Sequence, residues 1–306
     1  MMRREVTIVL YHHVGEDGDP LTKHLGVTIR PELFESHVRY FKQNFDFVSG
    51  SDLVNGILPR RPILVTFDDA YRSVLDVAGP ILKVASAPSI FFVNPATVAD
   101  SFLPVDNVLS IAIEELGWEK VVSVLHLDNT GITSASQLLT EFFAKQKQTE
   151  VRTMKDGLCL AMGMSEAEMR RTTGLFLRPA DIRTLSSLSI EIGNHSMNHT
   201  FFRSLSLDEL KTEIIESRIL LQSLSSQPVP YLSIPYGNRL DATETVLEMA
   251  RESGHKAIFL VHAKSNRFSP GPDIYYRISL QDTSPKALPL KLRIMPPLRS
   301  LRDYFG

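Results

Sequence analysis

Apolar residues along the chain follow two rhythms: short unbroken runs, and longer stretches in which they recur every three or four positions. Positions 6–11, 63–67, 89–93 and 257–261 are runs of strand length, rich in β-branched and aromatic residues, as strands covered on both faces require. Positions 188–192 and 231–234 read as two further strands. Between them lie helical signals. Pro31 stands at a helix start, with Leu33, Phe34, Val38 and Phe41 following at helical spacing, and 74–84 has the same period. Ser206 and Glu209 form a capping box ahead of an apolar face of Leu207, Leu210, Ile214, Leu221 and Leu224. Asp241 as N-cap, Glu244 three residues on and Gly254 beyond the end predict another helix. Strands alternating with helices predict an α/β fold of parallel βαβ units, either a barrel or a doubly wound sheet.

From about 100 to 178 the rhythm changes. Helical patterns at 108–118 and 165–171, joined by polar connectors, predict a mostly helical insertion within one domain spanning 1–306. With 33 basic and 35 acidic residues, the net charge of −2 argues against a dedicated nucleic-acid binder. The one cysteine, Cys159, excludes an internal disulfide framework and every cysteine-rich zinc site. No apolar stretch is long enough to cross a bilayer, and the first residues lack the pattern of a signal peptide, so a cytoplasmic protein is expected.

Three clusters put metal-competent or acid/base side chains at the C-terminal end of an expected strand, the edge where parallel α/β folds build active sites. In Thr66-Phe67-Asp68-Asp69 two adjacent carboxylates raise each other's pKa unless something positive holds them. A cation bound to one would leave the other free as a base; alternatively, Asp69 caps the next helix. In His195-Ser196-Met197-Asn198-His199 the i, i+4 spacing would bring both imidazoles to one side of a helical turn. A chain with 9 histidines produces such a pair by chance often enough that spacing alone decides little, and two surface or capping histidines are the other reading. Pro235-Tyr236-Gly237, after the run 231–234, is a strand-end turn that could aim a backbone N–H into a cleft. Two histidines and one aspartate leave coordination positions open, which distinguishes a catalytic metal site from a structural one. With Asp68 as base, the chemistry is hydrolysis of an amide or ester.

In that order, these three motifs resemble the signature of the polysaccharide deacetylases, the NodB-homology group or carbohydrate esterase family four. The opening Tyr11-His12-His13-Val14 and the run Asp69-Ala70-Tyr71-Arg72-Ser73-Val74-Leu75 are similar as well. The likeness covers roughly 5–100 and 178–280. It implies a distorted (β/α)-barrel, usually of seven strands, and a divalent metal, zinc foremost with cobalt, nickel or iron as alternatives. Asp69, His195 and His199 would be the ligands, Asp68 the base, and the Tyr236 backbone N–H part of an oxyanion hole. The substrate would be an acylated, chiefly N-acetylated, sugar or polysaccharide. The general acid is expected at His12, with His13 next and His262 an outside candidate; along a strand His12 and His13 face opposite ways.

Two departures from the family pattern stand out. Ala70 replaces the glycine that usually follows the two aspartates, which matters only if that position needs positive φ. Ser233 replaces the arginine that usually braces the base, so Arg239 or Arg277 would have to substitute. Two competing functions follow: a deformylase or deacetylase of lipid-linked or nucleotide sugars, and a barrel that binds sugar without catalysis. Trp118 could stack on a sugar ring, although packing is the better reading. His24, His37, His126 and His255 are expected to do no chemistry. The basic, apolar tail 286–302, broken by Pro296 and Pro297, is expected to be a packed or frayed arm and not a membrane-surface helix. Oligomeric state is not legible in the sequence.

Overall fold

A computed structural model describes residues 5–99, 102–127, 130–264, 266–267 and 273–294. Seven parallel strands close into a barrel: β1 (Glu5–Tyr11), β2 (Pro62–Phe67), β3 (Ser89–Val93), β4 (Ile190–Asn194), β5 (Tyr231–Ser233), β6 (Ala257–Val261) and β7 (Asp273–Ser279). Closure comes from β1, which pairs with β2 from Thr7↔Ile63 to Tyr11↔Phe67 and with β7 at Val9↔Ile278 and Leu10↔Ser279. A closed barrel has no free edge to protect. Two short pieces extend it at the rim, Asp46–Phe47 beside β2 and Asn266–Arg267 antiparallel to β1.

Alternation along each strand divides the core. Ile8, Leu64, Ile90, Phe92, Phe259 and Tyr275 share one cluster inside the barrel; Val9, Val65, Phe67 and Phe91 belong to another, under the surrounding helices. On the inward face, two residues further along, Leu64 gives way to Thr66 (and two beyond that to Asp68), Tyr231 to Ser233, and Tyr275 to Arg277. The barrel is thus oily at the bottom and polar at its C-terminal mouth, where the side-chain period of two keeps these groups inside.

The helix at Pro31–Asn44 begins as Pro31 predicts, burying Phe34, Val38 and Phe41. The capping box of Ser206 and Glu209 is present, although Leu207 is 60% exposed and takes no part in the buried face. The helix expected to start at Asp241 spans Glu244–Glu252, capped by Thr243. Asp241 is instead fully buried, accepting hydrogen bonds from the Arg203 backbone N–H and guanidinium. A buried carboxylate needs a charged donor more than a helix end needs that particular cap. Strand β7, whose run from Ile274 to Ser279 is interrupted by Arg277, is not legible in the pattern.

The insertion is helical, chiefly Val105–Leu116, Gln148–Met162 and Glu166–Thr173, with one isolated bridge between Tyr71 and Phe176. Its apolar residues share a cluster with Leu21, Tyr71 and Phe201 from the barrel loops, so it packs onto the mouth of the barrel. Trp118 is among the residues packed there. Leu288 and Leu292 of the tail are buried against the barrel's outer core; the tail beyond residue 294, Pro296 and Pro297 included, lies outside the described residues. Among the described residues no helix is long and apolar enough to cross a membrane.

Candidate metal centre

Asp68 and Asp69 follow β2 directly, and the chain then turns sharply, with Asp69 at φ 75° and Ala70 at φ 57°. That is the left-handed region, so the position does demand what glycine offers freely, and Ala70 occupies it at a cost of about 1–2 kcal/mol. The turn is clamped by the end of the insertion: Leu177 N–H donates to the Ala70 carbonyl at 2.9 Å and Arg72 N–H to that of Leu175 at 2.8 Å. Asp69 caps no helix; its carboxylate turns into the barrel mouth.

The two histidines reach the same point by a route the sequence does not suggest. Residues 195–199 form no helical turn but a loop after β4, with Ser196 at φ 68° and His199 at φ 54°. Polar side chains hold it: Ser196 Oγ accepts from His199 N–H at 2.9 Å, Asn94 Nδ2 donates to the His195 and Ser196 carbonyls, and buried Glu213 accepts from the backbone and side chain of Asn198. Glu213 and Asn94 carry no pattern that would have flagged them.

Asp69, His195 and His199 each offer one ligand atom, all within 4.8 Å of one another, and all three residues are buried. Asp69 Oδ1 lies 3.2 Å from His195 Nε2 and 3.3 Å from His199 Nε2, and it has no hydrogen-bond partner among the described residues. The tautomers explain why. His195 Nδ1 donates to the Ser233 carbonyl at 2.9 Å, which leaves the lone pair on Nε2, facing the carboxylate. His199 Nδ1 sits 3.2 Å from a carboxylate oxygen of Asp106 in the insertion, an ion-pair contact outside hydrogen-bond geometry and the place where a carboxylate would stand behind a ligating imidazole. Lone pairs converging on a carboxylate oxygen fit a cation, and the two-nitrogen, one-oxygen donor set fits zinc or a neighbouring first-row ion.

Without an ion, the electrostatics favour a proton in the same place. Burial by itself would lower the His199 pKa, but Asp106 and Asp69 outweigh it and hold the imidazole up at about 9; an ion would compete with that proton. Burial likewise pushes Asp69 up, yet His199, His12 and His195 bring it well below the usual carboxylate range.

Asp68, 2% exposed, is gripped from β7. Arg277 Nη1 and Nη2 donate to its two oxygens at 2.7 Å each, Arg277 also donates to Ser233 Oγ at 2.7 Å, and Ser233 Oγ in turn donates to Asp68 at 3.3 Å. Burial raises the Asp68 pKa, but Arg277 and then His195 overcome it and the net direction is down. Of the two arginines considered from the sequence, Arg277 takes the bracing place; Arg239 is exposed. Because Ser233 is small and polar, it completes the network.

His12 faces the centre, its Nε2 3.9 Å from Asp69 and its Nδ1 against the Gln281 amide. His13 points the other way, onto Thr28 and the edge of Tyr71. His262 packs edge-on to Tyr276, and no contact joins it to Asp68, Asp69, His195 or His199. Tyr236 adopts φ 60° and lies between His199 and Phe201, stacked on the latter at 3.7 Å. Gly237 must be glycine there: at φ 64°, a Cβ would sit 2.4 Å from Val261 N. His37 is structural, donating from Nε2 to the Thr283 carbonyl and accepting from Tyr11 Oη.

Comparison with known proteins bears on this geometry. The family model described as polysaccharide deacetylase matches residues 55–258, about two thirds of the chain. No curated protein matches the sequence. Among solved structures, a Streptococcus pyogenes deacetylase in complex with acetate superposes with TM-score 0.64 at 17% identity, covering 95% of this chain and all of its own. A polysaccharide deacetylase from Bacillus cereus gives 0.61 at 12%, covering 96% of this chain and 70% of its own. A de-N-acetylase from Aggregatibacter actinomycetemcomitans gives 0.57 at 18%, covering 90% and 94%. At these identities the likeness is one of fold, and the barrel is the fold they share.

Proposed function

This chain belongs to the polysaccharide deacetylase family, and from that premise we propose that it is a metal-dependent hydrolase that removes acyl groups, N-acetyl foremost, from a carbohydrate. The observation that carries the reading is the pair of imidazole nitrogens aimed at one buried, partnerless oxygen of Asp69, with Asp68 and His12 alongside. A bound divalent ion, zinc foremost, would supply Lewis-acid polarisation of the acyl carbonyl and make water a better acid. Asp68 takes a proton from the attacking water, oriented and kept ionised by Arg277 and Ser233. The Tyr236 backbone N–H donates to the oxyanion as it develops. His12 returns a proton to the leaving nitrogen. The C–N bond breaks, the acyl carbon keeps the water oxygen as a carboxylate, and the sugar leaves as an amine.

As imidazolium, His12 needs an acceptor at Nδ1, which a half-turn of the Gln281 amide provides. Residues 1–306 then form one catalytic domain, with the insertion supplying Asp106 behind a ligand. The reading as a barrel without catalysis rested on the missing brace at Ser233, and Arg277 removes that motive.

The test is metal content and turnover measured together. His195→Ala and Asp69→Ala lose both; full turnover in a variant free of metal overturns the proposal. His12→Asn keeps the ion and loses roughly 10²–10⁴-fold in turnover; unchanged turnover moves the acid elsewhere.

A further inference from the structure

The helix that follows the histidine loop is not regular: it runs Leu207–Lys211, widens into a π turn at Thr212–Glu216 and resumes at Ser217–Ser225. Single wide turns of this kind occur mostly at functional sites. This one holds Glu213, which is 1% exposed and which no Lys or Arg pairs with among the described residues. We propose that Glu213 is a positioning residue for the metal centre. Through Asn198 it fixes the loop that joins the two histidines, so that both Nε2 atoms face Asp69, and it touches neither ion nor substrate. The inference rests on the metal-dependent reading above and deepens it.

The contacts select a carboxylate and not just any polar side chain. Glu213 Oε2 accepts from Asn198 N–H at 2.9 Å, and Oε1 accepts from Asn198 Nδ2 at 2.8 Å. Gln148 Nε2, at the start of the insertion's helix Gln148–Met162, donates to Oε1 at 3.4 Å. Three donors thus converge on two oxygens, which suits a group that only accepts; a glutamine would turn its NH2 toward one of them. A second clip comes from the same turn. The Ile214 carbonyl accepts from Asn194 Nδ2 at 3.0 Å, and Asn194 Oδ1 accepts from Ser196 N–H at 3.1 Å. The loop needs such holding because Ser196 and His199 are left-handed, a conformation that residues other than glycine keep only where the surroundings over-determine it. Released from Glu213, the loop would relax and carry His199 away from Asp69, whose Oδ1 is 3.3 Å from its Nε2.

The experiment measures, on the full chain, zinc affinity by chelator competition, the visible spectrum of the cobalt-loaded protein and, with excess chelator, urea unfolding. Glu213→Gln should lower zinc affinity about tenfold or more, the scale on which groups behind a ligand act, and should alter the cobalt bands, which report ligand geometry. Asn198→Ala removes one of the donors, so that a single amide oxygen suffices for the backbone N–H. The double variant should therefore bind zinc about as well as Asn198→Ala alone. A lower urea midpoint with unchanged affinity and unchanged cobalt bands would make Glu213 a fold-stabilising residue only and overturn the inference. Affinity losses that simply add in the double variant would overturn it too. Should Glu213→Gln fail to fold, Asn198→Ala, at a half-buried position, carries the test: weakened zinc binding supports the inference and unchanged binding overturns it. A parent protein that binds zinc no better than His195→Ala defeats the metal-dependent reading and the inference with it. A parent that binds tightly, beside a Glu213→Gln variant that binds equally, defeats the inference alone.

Discussion

Arg277→Met leaves the Asp68 carboxylate buried with its charge unanswered. Arg277 is fully buried and Asp68 2% exposed, and two charge-assisted hydrogen bonds of 2.7 Å join them. Breaking such a pair from one side costs about 3–5 kcal/mol, because the remaining ion keeps its desolvation penalty and loses its compensation. For a domain stable by roughly 5–15 kcal/mol this is a large loss. The assay is urea unfolding followed by circular dichroism, with excess chelator so that ion binding does not contribute; the midpoint should fall by about 1–2 M. The pH dependence has a definite sign. In the parent protein the Asp68 pKa lies below its unfolded value, so its contribution is present above about pH 3.9 and is lost as pH falls through the folded value. Without Arg277, burial dominates and raises that pKa, so the variant loses stability as pH rises above about 3.9. The two curves therefore diverge toward neutral pH. Asp68→Asn in the Arg277→Met background should recover much of the loss, since no buried charge then remains. A loss below about 1 kcal/mol for Arg277→Met, or no recovery in the double variant, would refute the reasoning.

Ala70→Gly should stabilise the fold by about 0.5–1 kcal/mol, relief of the left-handed strain at φ 57° exceeding the added entropy of the unfolded chain; a drop in the urea midpoint would contradict it. Asp106→Asn should weaken metal affinity about 10–100-fold in a chelator competition, because Asp106 supports His199 Nδ1; unchanged affinity would show that the contact does not orient the ligand. His255, lowered to about 3 chiefly by burial, is a further source of acid sensitivity. Its stabilising contribution is complete above the unfolded value of about 6.5 and shrinks as pH falls toward 3, by as much as about 4–5 kcal/mol. His255→Gln should flatten the stability curve over that window, and an unaltered slope would place the acid sensitivity elsewhere.

Strand runs and caps act locally, and for that reason the sequence alone already determined much of this protein. The strands at positions 89–93 and 257–261 and the Pro31 helix start lie where the hydrophobic pattern put them, because burial on both faces of a strand selects an unbroken apolar run wherever it occurs. The two aspartates and the two histidines were equally visible, since strand-end chemistry is spelled in consecutive letters. What only the tertiary structure decided are the partnerships between distant segments. Arg277 braces Asp68 across 209 positions of chain, from a strand whose apolar run that same arginine interrupts. Asp106 stands behind His199 because the insertion folds back over the barrel mouth. The histidine pair meets Asp69 through a loop with two left-handed residues, not through the helical turn its spacing suggests, since Glu213 and Asn94 satisfy the loop's polar groups from other elements. Buried polar groups must be satisfied by whatever the fold brings near, and nothing in the neighbouring residues says what that will be.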